Sequence, residues 1–263
     1  MTSVLFVAVM LAGPIPAAAT PATVTLDLVD QQPIAHDTHH VQGLAVGTDY
    51  FWISSVDRRT KKGFVYRVSR TSGNVLAERE LAFESQFHPG GIDLADGGLW
   101  VPVAEYRPRS STTIMRLDPL SLATLSTFTV DDHIGCLAVI RGGEIVAANW
   151  DARILYRFNR AGKKLGETPN PRNVAYQDLK YAAGQIIGCG AEKLTGQPSL
   201  PVVERLNAKT LALESRLLPQ GTLRSGTKDF CREGCGFYNG EIFLMPEDGP
   251  HTTIYRFKLP SSP

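Results

Sequence analysis

Three observations in the sequence predict an all-β fold: a five-bladed β-propeller whose last blade is closed by the N-terminal strand. One hairpin pattern recurs five times. Each copy brings three or four short strands with it. One further alternating strand, near the N-terminus, has no copy of its own. Four-stranded units repeating at roughly 40–50 residues are the mark of a propeller blade.

The hairpins come first. DGGLWV, RGGEIV, AGQII and NGEIF share a turn ending in Gly and then an apolar strand, and TDYFWI fills the same slot without the Gly. With Tyr50, Gly98, Gly143, Gly184 and Gly240 as landmarks, the spacings are 48, 45, 41 and 56 residues. A short strand precedes each landmark: VQGLAV, GGIDLA, GCLAVI, QDLKYA and GCGFY. After the hairpin comes a third strand carrying apolar-x-Arg-apolar, so Arg67, Arg116, Arg157, Arg205 and Arg256 share one position. A side chain found in every unit is read as architectural, covering apolar surface and bonding a neighbouring carbonyl. Four units add a fourth strand, and the fifth stops after three. ATVTLDLVD, residues 22–30, alternates over strand length and supplies the missing strand. The expected blades are 39–82, 87–130, 132–170, 174–219 and 230–260. Joining the chain ends in one blade also protects edges that would template aggregation.

Composition narrows the function. Lys and Arg number 27 and Asp and Glu 26, which argues against a dedicated nucleic-acid binder. The start, MTSVLFVAVMLAGPIPAAAT, has an apolar run followed by Gly, Pro and small residues, though no Lys or Arg precedes the run. It reads as a signal peptide over residues 1–19, with a single propeller domain over 20–263. A secreted or periplasmic monomer without a membrane span is expected. Cys136, Cys189, Cys231 and Cys235 allow three pairings. A Cys231–Cys235 bridge is one reading, and four buried free thiols are the other.

His40, His88 and His133 each lie ten residues before a landmark. In a propeller that position begins the innermost strand, so the three imidazoles are expected to ring one mouth of the central channel. They suit three roles: orienting turns, contacting a ligand, or holding a divalent metal ion as neutral nitrogen ligands. Acids fall seven or eight residues past each landmark: Asp57, Glu105, Asp151, Glu192, and Glu247 with Asp248. Trp150 and Tyr106 accompany them. These acids are expected to be solvated loop ends pairing with the repeated arginines, or part of a polar mouth. Glu233 shares a slot with Gly43, Gly91, Cys136 and Gln177 and reads either as a channel-facing acid or base or as an exposed loop residue. No nucleophile elbow, zinc-protease helix, phosphate loop or dinucleotide fingerprint is present.

Val41-Gln42-Gly43-Leu44, the stretch GFVYRVSRTSGNVLAERELA, and Tyr176-Gln177-Asp178-Leu179 carry a resemblance. The layout is similar to the plant-type glutaminyl cyclotransferases, five-bladed propellers that convert N-terminal Gln to pyroglutamate, or to an uncharacterised propeller family related to them. The match spans most of the chain on short motifs. Where that family has Gly-Glu-Gly, this sequence has Pro89-Gly90-Gly91 and lacks the carboxylate. Two functions are therefore expected at one place. The first is binding of a small molecule or peptide by His40, Gln42, His88, His133, Trp150, Asp151 and Gln177. The second is an enzyme, cyclotransferase-like or a metal-assisted hydrolase or lyase, with Glu233 or Asp178 carrying the proton.

Overall fold

The computed structural model describes residues 21–226 and 229–259, so the expected signal peptide lies outside the described residues. Nearly all regular structure is strand. The one helical element among the described residues is a 3-10 turn at Trp150–Ala152, and no helix is long and apolar enough to cross a membrane.

Strand β1 (Ala22–Pro33) leads into a four-stranded antiparallel sheet, β2 (His40–Val46), β3 (Tyr50–Asp57), β4 (Lys62–Ser69) and β5 (Val75–Leu81). In the second sheet, β6 (Gln86–Pro89) and β7 (Asp93–Ala95) both pair with β8 (Gly98–Glu105), and β9 (Thr112–Leu117) and β10 (Thr124–Val130) follow. The third sheet holds β11 (Ile134–Ile140), β12 (Glu144–Asn149), β13 (Ile154–Asn159) and β14 (Lys164–Pro169). Next come β15 (Val174–Ala182), β16 (Gln185–Glu192), β17 (Leu200–Asn207) and β18 (Leu213–Gln220), then β19 (Gly234–Tyr238), β20 (Glu241–Met245) and β21 (Thr253–Lys258). These last seven share one sheet with β1. The start of β1 runs parallel to β18, and its later part pairs antiparallel with β21. The strand expected to complete the last unit therefore lies beside β21.

Burial follows position in each sheet. The second strands are the most buried: β3 and β8 are covered along nearly their whole length. The fourth strands β5, β10 and β14 are largely exposed. Such runs suit central strands covered on both faces by neighbouring sheets. The apolar core divides into five clusters among the described residues, each between consecutive strand groups. One of them joins Phe243, Met245 and Ile254 to Val41, Ile53 and Tyr66 of the first sheet.

The first strands meet at the centre. Asp178, on β15, is fully buried. Its Oδ2 accepts the Leu44 N–H at 2.9 Å and the Cys235 N–H at 3.1 Å, while Oδ1 accepts the Leu179 N–H and pairs with Lys180. Lys180 Nζ also donates to Ile92 O at 2.6 Å. One ion pair thus ties four strand segments together. Glycine makes the approach possible: a Cβ on Gly43 would lie 2.8 Å from Gly91 Cα, and one on Gly234 would lie 2.8 Å from Gly43 C. The axis at this level is filled, not open as a through-channel.

Several expectations change here. The second unit's first strand is split into β6 and β7 at Gly90-Gly91, because the chain crosses toward Gly135. Gly91 N–H donates to Gly135 O at 2.8 Å, and a Cβ on Gly90 would lie 2.1 Å from that oxygen. The four cysteines are buried free thiols, and the Cys231–Cys235 bridge is not formed. Cys235 Sγ instead faces Asp178 O. The repeated acids do not pair with the repeated arginines. Asp57 caps its own turn at Thr60, Glu105 holds Arg107, Asp151 holds Lys193 and Glu192 holds Arg216. The arginines do bond carbonyls: Arg67 reaches Leu120 O and Arg157 reaches Ala208 O, each in the following sheet, while Arg116 reaches Asp96 O in its own.

Candidate functional site

The three histidines separate into two neighbouring groups. His40 opens β2, and its Nδ1 lies 3.0 and 3.1 Å from the two oxygens of Asp248. Asp248 Oδ1 also accepts the Val41 N–H at 3.2 Å. Burial works against the Asp248 carboxylate, yet the His40 contact and the other charges around it hold it below its usual range. Glu233, immediately before β19, is 5% exposed, and Arg232 Nε approaches its Oε1 at 3.2 Å. Burial, and then the charge of Asp248, push the Glu233 carboxyl up to about 8. Donor atoms of His40, Glu233 and Asp248 lie within 4.8 Å of one another.

His88 and His133 form the second group. The Val41 carbonyl can only accept, so it takes the Gln42 amide N–H at 2.9 Å and turns Gln42 Oε1 toward His88 Nε2 at 3.0 Å. His88 therefore carries its proton on Nε2. Its buried Nδ1 is a bare lone pair with no partner among the described residues. Burial, followed by the charge of His133, pushes His88 down to about 3, so the ring stays neutral. His133 Nδ1 donates to Arg107 O at 2.9 Å, beside Ser110 Oγ at 3.3 Å, and burial lowers its pKa as well. Around these rings stand Tyr106, 4.3 Å from His88, and Trp150, 4.6 Å from His133, both edge-on.

The three-histidine metal site expected from the sequence does not form. His88 and His133 rings are 5.3 Å apart, but each has a nitrogen engaged by Gln42 or Arg107, and His40 turns to Asp248. Registry is shared by His40, paired with Val56, and His88, paired with Ala104, whereas His133 lies just ahead of the β11 ladder. Asp178 is not placed as a proton carrier, since both its oxygens are engaged in the closed core. Asp151 lies on the rim with positive φ and is tied to Lys193 at 2.8 Å. Gln177 occupies the bulge between Tyr176 and Asp178, half-buried, with its carbonyl against Gly91. Gln42 orients His88. Asp248, Ser110 and the Arg107 carbonyl complete the site. Only Asp248 had a sequence signal, as one of the repeated loop acids.

Two cavities open beside these groups. One of about 650 Å³ is lined by Ile34, Leu223, Arg232, Asp248 and His251, sharing Arg232 and Asp248 with the His40 group. A groove of about 400 Å³, lined by Arg58, Lys61, Phe87, Tyr106 and Arg107, adjoins the His88 group through Tyr106.

The fold is that of a β-propeller. The glutaminyl cyclase of Myxococcus xanthus superimposes with a TM-score of 0.65 at 14% identity, covering 91% of this chain and 98% of that one. A protein of unknown function from Bacteroides caccae gives 0.53 at 12% identity, covering 81% and 73%. No curated protein matches the sequence. The model of a family of unknown function, DUF6454, matches residues 22–184, more than half of the sequence, and the chain belongs to that family.

Proposed function

We propose that this is an exported, monomeric, five-bladed propeller, closed into a ring by β1, that binds a small molecule or peptide at its histidine-bearing mouth. The core cluster joining β20 and β21 to the first sheet supports the ring. The observation that carries the binding reading is His88: 7% exposed, fixed as the Nε2–H tautomer, with Nδ1 unpartnered. An unsatisfied buried acceptor costs roughly 1–3 kcal/mol, so a donor that reaches His88 Nδ1 recovers that amount. The ligand presents an N–H or O–H donor to Nδ1, with Tyr106 and Trp150 as the wall beside it. A ligand-observed NMR screen of amide, amine and alcohol fragments tests this. Hits that disappear in His88→Phe support the reading, and hits indifferent to that change refute it.

A second reading is enzymatic, cyclotransferase-like or a metal-assisted hydrolase or lyase. The observation favouring it is Glu233, a buried carboxyl at the same mouth in a fold shared with a glutaminyl cyclase. In cyclisation the α-amine of an N-terminal Gln attacks the side-chain carboxamide carbon. Glu233 would take the amine proton and return it to the departing ammonia. Ammonia release from Gln-initiated dipeptides, lost in Glu233→Gln, is the expected result. No release by the unaltered protein retires the cyclotransferase form.

A further inference from the structure

We propose that His40, Glu233 and Asp248 form a site for one first-row divalent cation, with Zn²⁺ the natural probe, beside the 650 Å³ cavity. The three residues come from separate segments: the first residue of β2, the residue before β19 and the loop after β20. Bonds of about 2.0–2.2 Å to nitrogen and oxygen place neighbouring ligand atoms roughly 3.0–3.5 Å apart. His40 Nδ1 and the Asp248 oxygens already stand at 3.0 and 3.1 Å, and the whole set lies within 4.8 Å. A cation there replaces the proton shared by the imidazole and the carboxylate, and Glu233 closes by a rotamer-scale shift.

The supports are built in. Asp248 is anchored by the Val41 N–H, and the Glu233 carbonyl accepts from the Cys189 thiol at 3.4 Å. One imidazole and two carboxylates suit zinc, manganese or iron, and three protein ligands leave a position open toward the cavity.

A second observation points to a cation. Arg232 reaches across both carboxylates, 3.2 Å from Glu233 and 4.0 Å from Asp248, on a side chain 57% exposed. The chain thus places an exposed positive charge where the two acids converge. So exposed an ion pair is weak, and a metal displaces it readily.

The test uses tag-free protein stripped with chelator and titrated with Zn²⁺ by calorimetry, with no organic ligand present. It therefore reads this proposal independently of the binding and cyclisation readings. One saturable site is expected. Glu233→Gln and His40→Gln should each weaken it tenfold or more, with melting temperatures checked to show that both variants are folded. Arg232→Gln should tighten it. Replacement by Co²⁺ should give visible d–d absorption that Glu233→Gln alters. No saturable binding, or binding unchanged in folded Glu233→Gln and His40→Gln, overturns the proposal.

Discussion

Asp178→Ala should be among the most damaging substitutions in this chain, although Asp178 lies outside the ligand-binding groups. It removes the partner of buried Lys180 and the acceptor for the Leu44 and Cys235 N–H groups. Breaking one side of a buried ion pair costs about 3–5 kcal/mol, and each orphaned buried donor about 1–3 kcal/mol. These overlap, because Lys180 keeps its bonds to Ile92 O and Leu179 O and can shed its proton. A loss of about 4–7 kcal/mol is expected, a large share of a total of ~5–15 kcal/mol. Urea unfolding at pH 7, followed by tryptophan fluorescence, measures it. Asp178→Asn with Lys180→Met removes both charges and keeps an acceptor for the two backbone donors, so it should recover most of the loss. A cost for Asp178→Ala below about 1 kcal/mol would refute the reasoning, since the central ion pair would then not be holding the first strands together.

Three further outcomes follow from the structure. His88 is held far below its unfolded pKa, so the unfolded chain binds the extra proton and stability falls as pH drops from about 7 toward 3. Between pH 7 and pH 5 the loss from this group is about 2 kcal/mol. His133 adds to it with the same sign, and His40 and Arg58 supply the nearby charge. His88→Gln should flatten that part of the acid-unfolding slope, and an unchanged slope counts against the assigned environment. Deleting β1 bares β18 and β21 together, so size-exclusion chromatography should show aggregation, whereas an unaltered monomer with an unaltered melt contradicts the pairing. Arg157→Met keeps the stem but leaves the Ala208 and Lys209 carbonyls without their donor, at a cost of about 1–2 kcal/mol in chemical denaturation. No measurable cost would mean that the repeated arginine acts through its stem alone.

The strand repeat was legible because burial leaves a period in the sequence. Second strands such as FWISSV and LWVPVA are small or apolar, and fourth strands such as LSTFT are polar enough to face water. What sequence could not show was the direction of side chains near the centre. β2 breaks register between Val41 and Gly43, β11 between Ile134 and Cys136, and β15 between Tyr176 and Asp178. Each bulge inserts one residue and reverses the alternation beyond it. Gln42 and Gln177 are the inserted residues in β2 and β15, and Asp178 follows the insertion. That is how Asp178 comes to point into the core and Gln42 to serve His88. Phase within the repeat brought His88 and His133 side by side, but their tautomers are set by Gln42, the inserted residue of β2, and by the Arg107 carbonyl in a loop.

The filled axis bears on where a ligand can sit. Asp178, Lys180 and the close-packed Gly43, Gly91 and Gly234 occupy the place where a channel would run. Under the proposed binding reading, a ligand would rest against this packed layer and would not pass through it. The two histidine groups differ in kind. One offers neutral imidazole between aromatic rings, an acceptor environment that stays uncharged down to acidic pH. The other offers two carboxylates, an imidazole and an exposed guanidinium. If the proposed ligand met both groups, it would need a hydrogen-bond donor at one end and a group that tolerates or coordinates a cation at the other. An amide or an amino acid meets both demands, whereas a hydrocarbon meets neither.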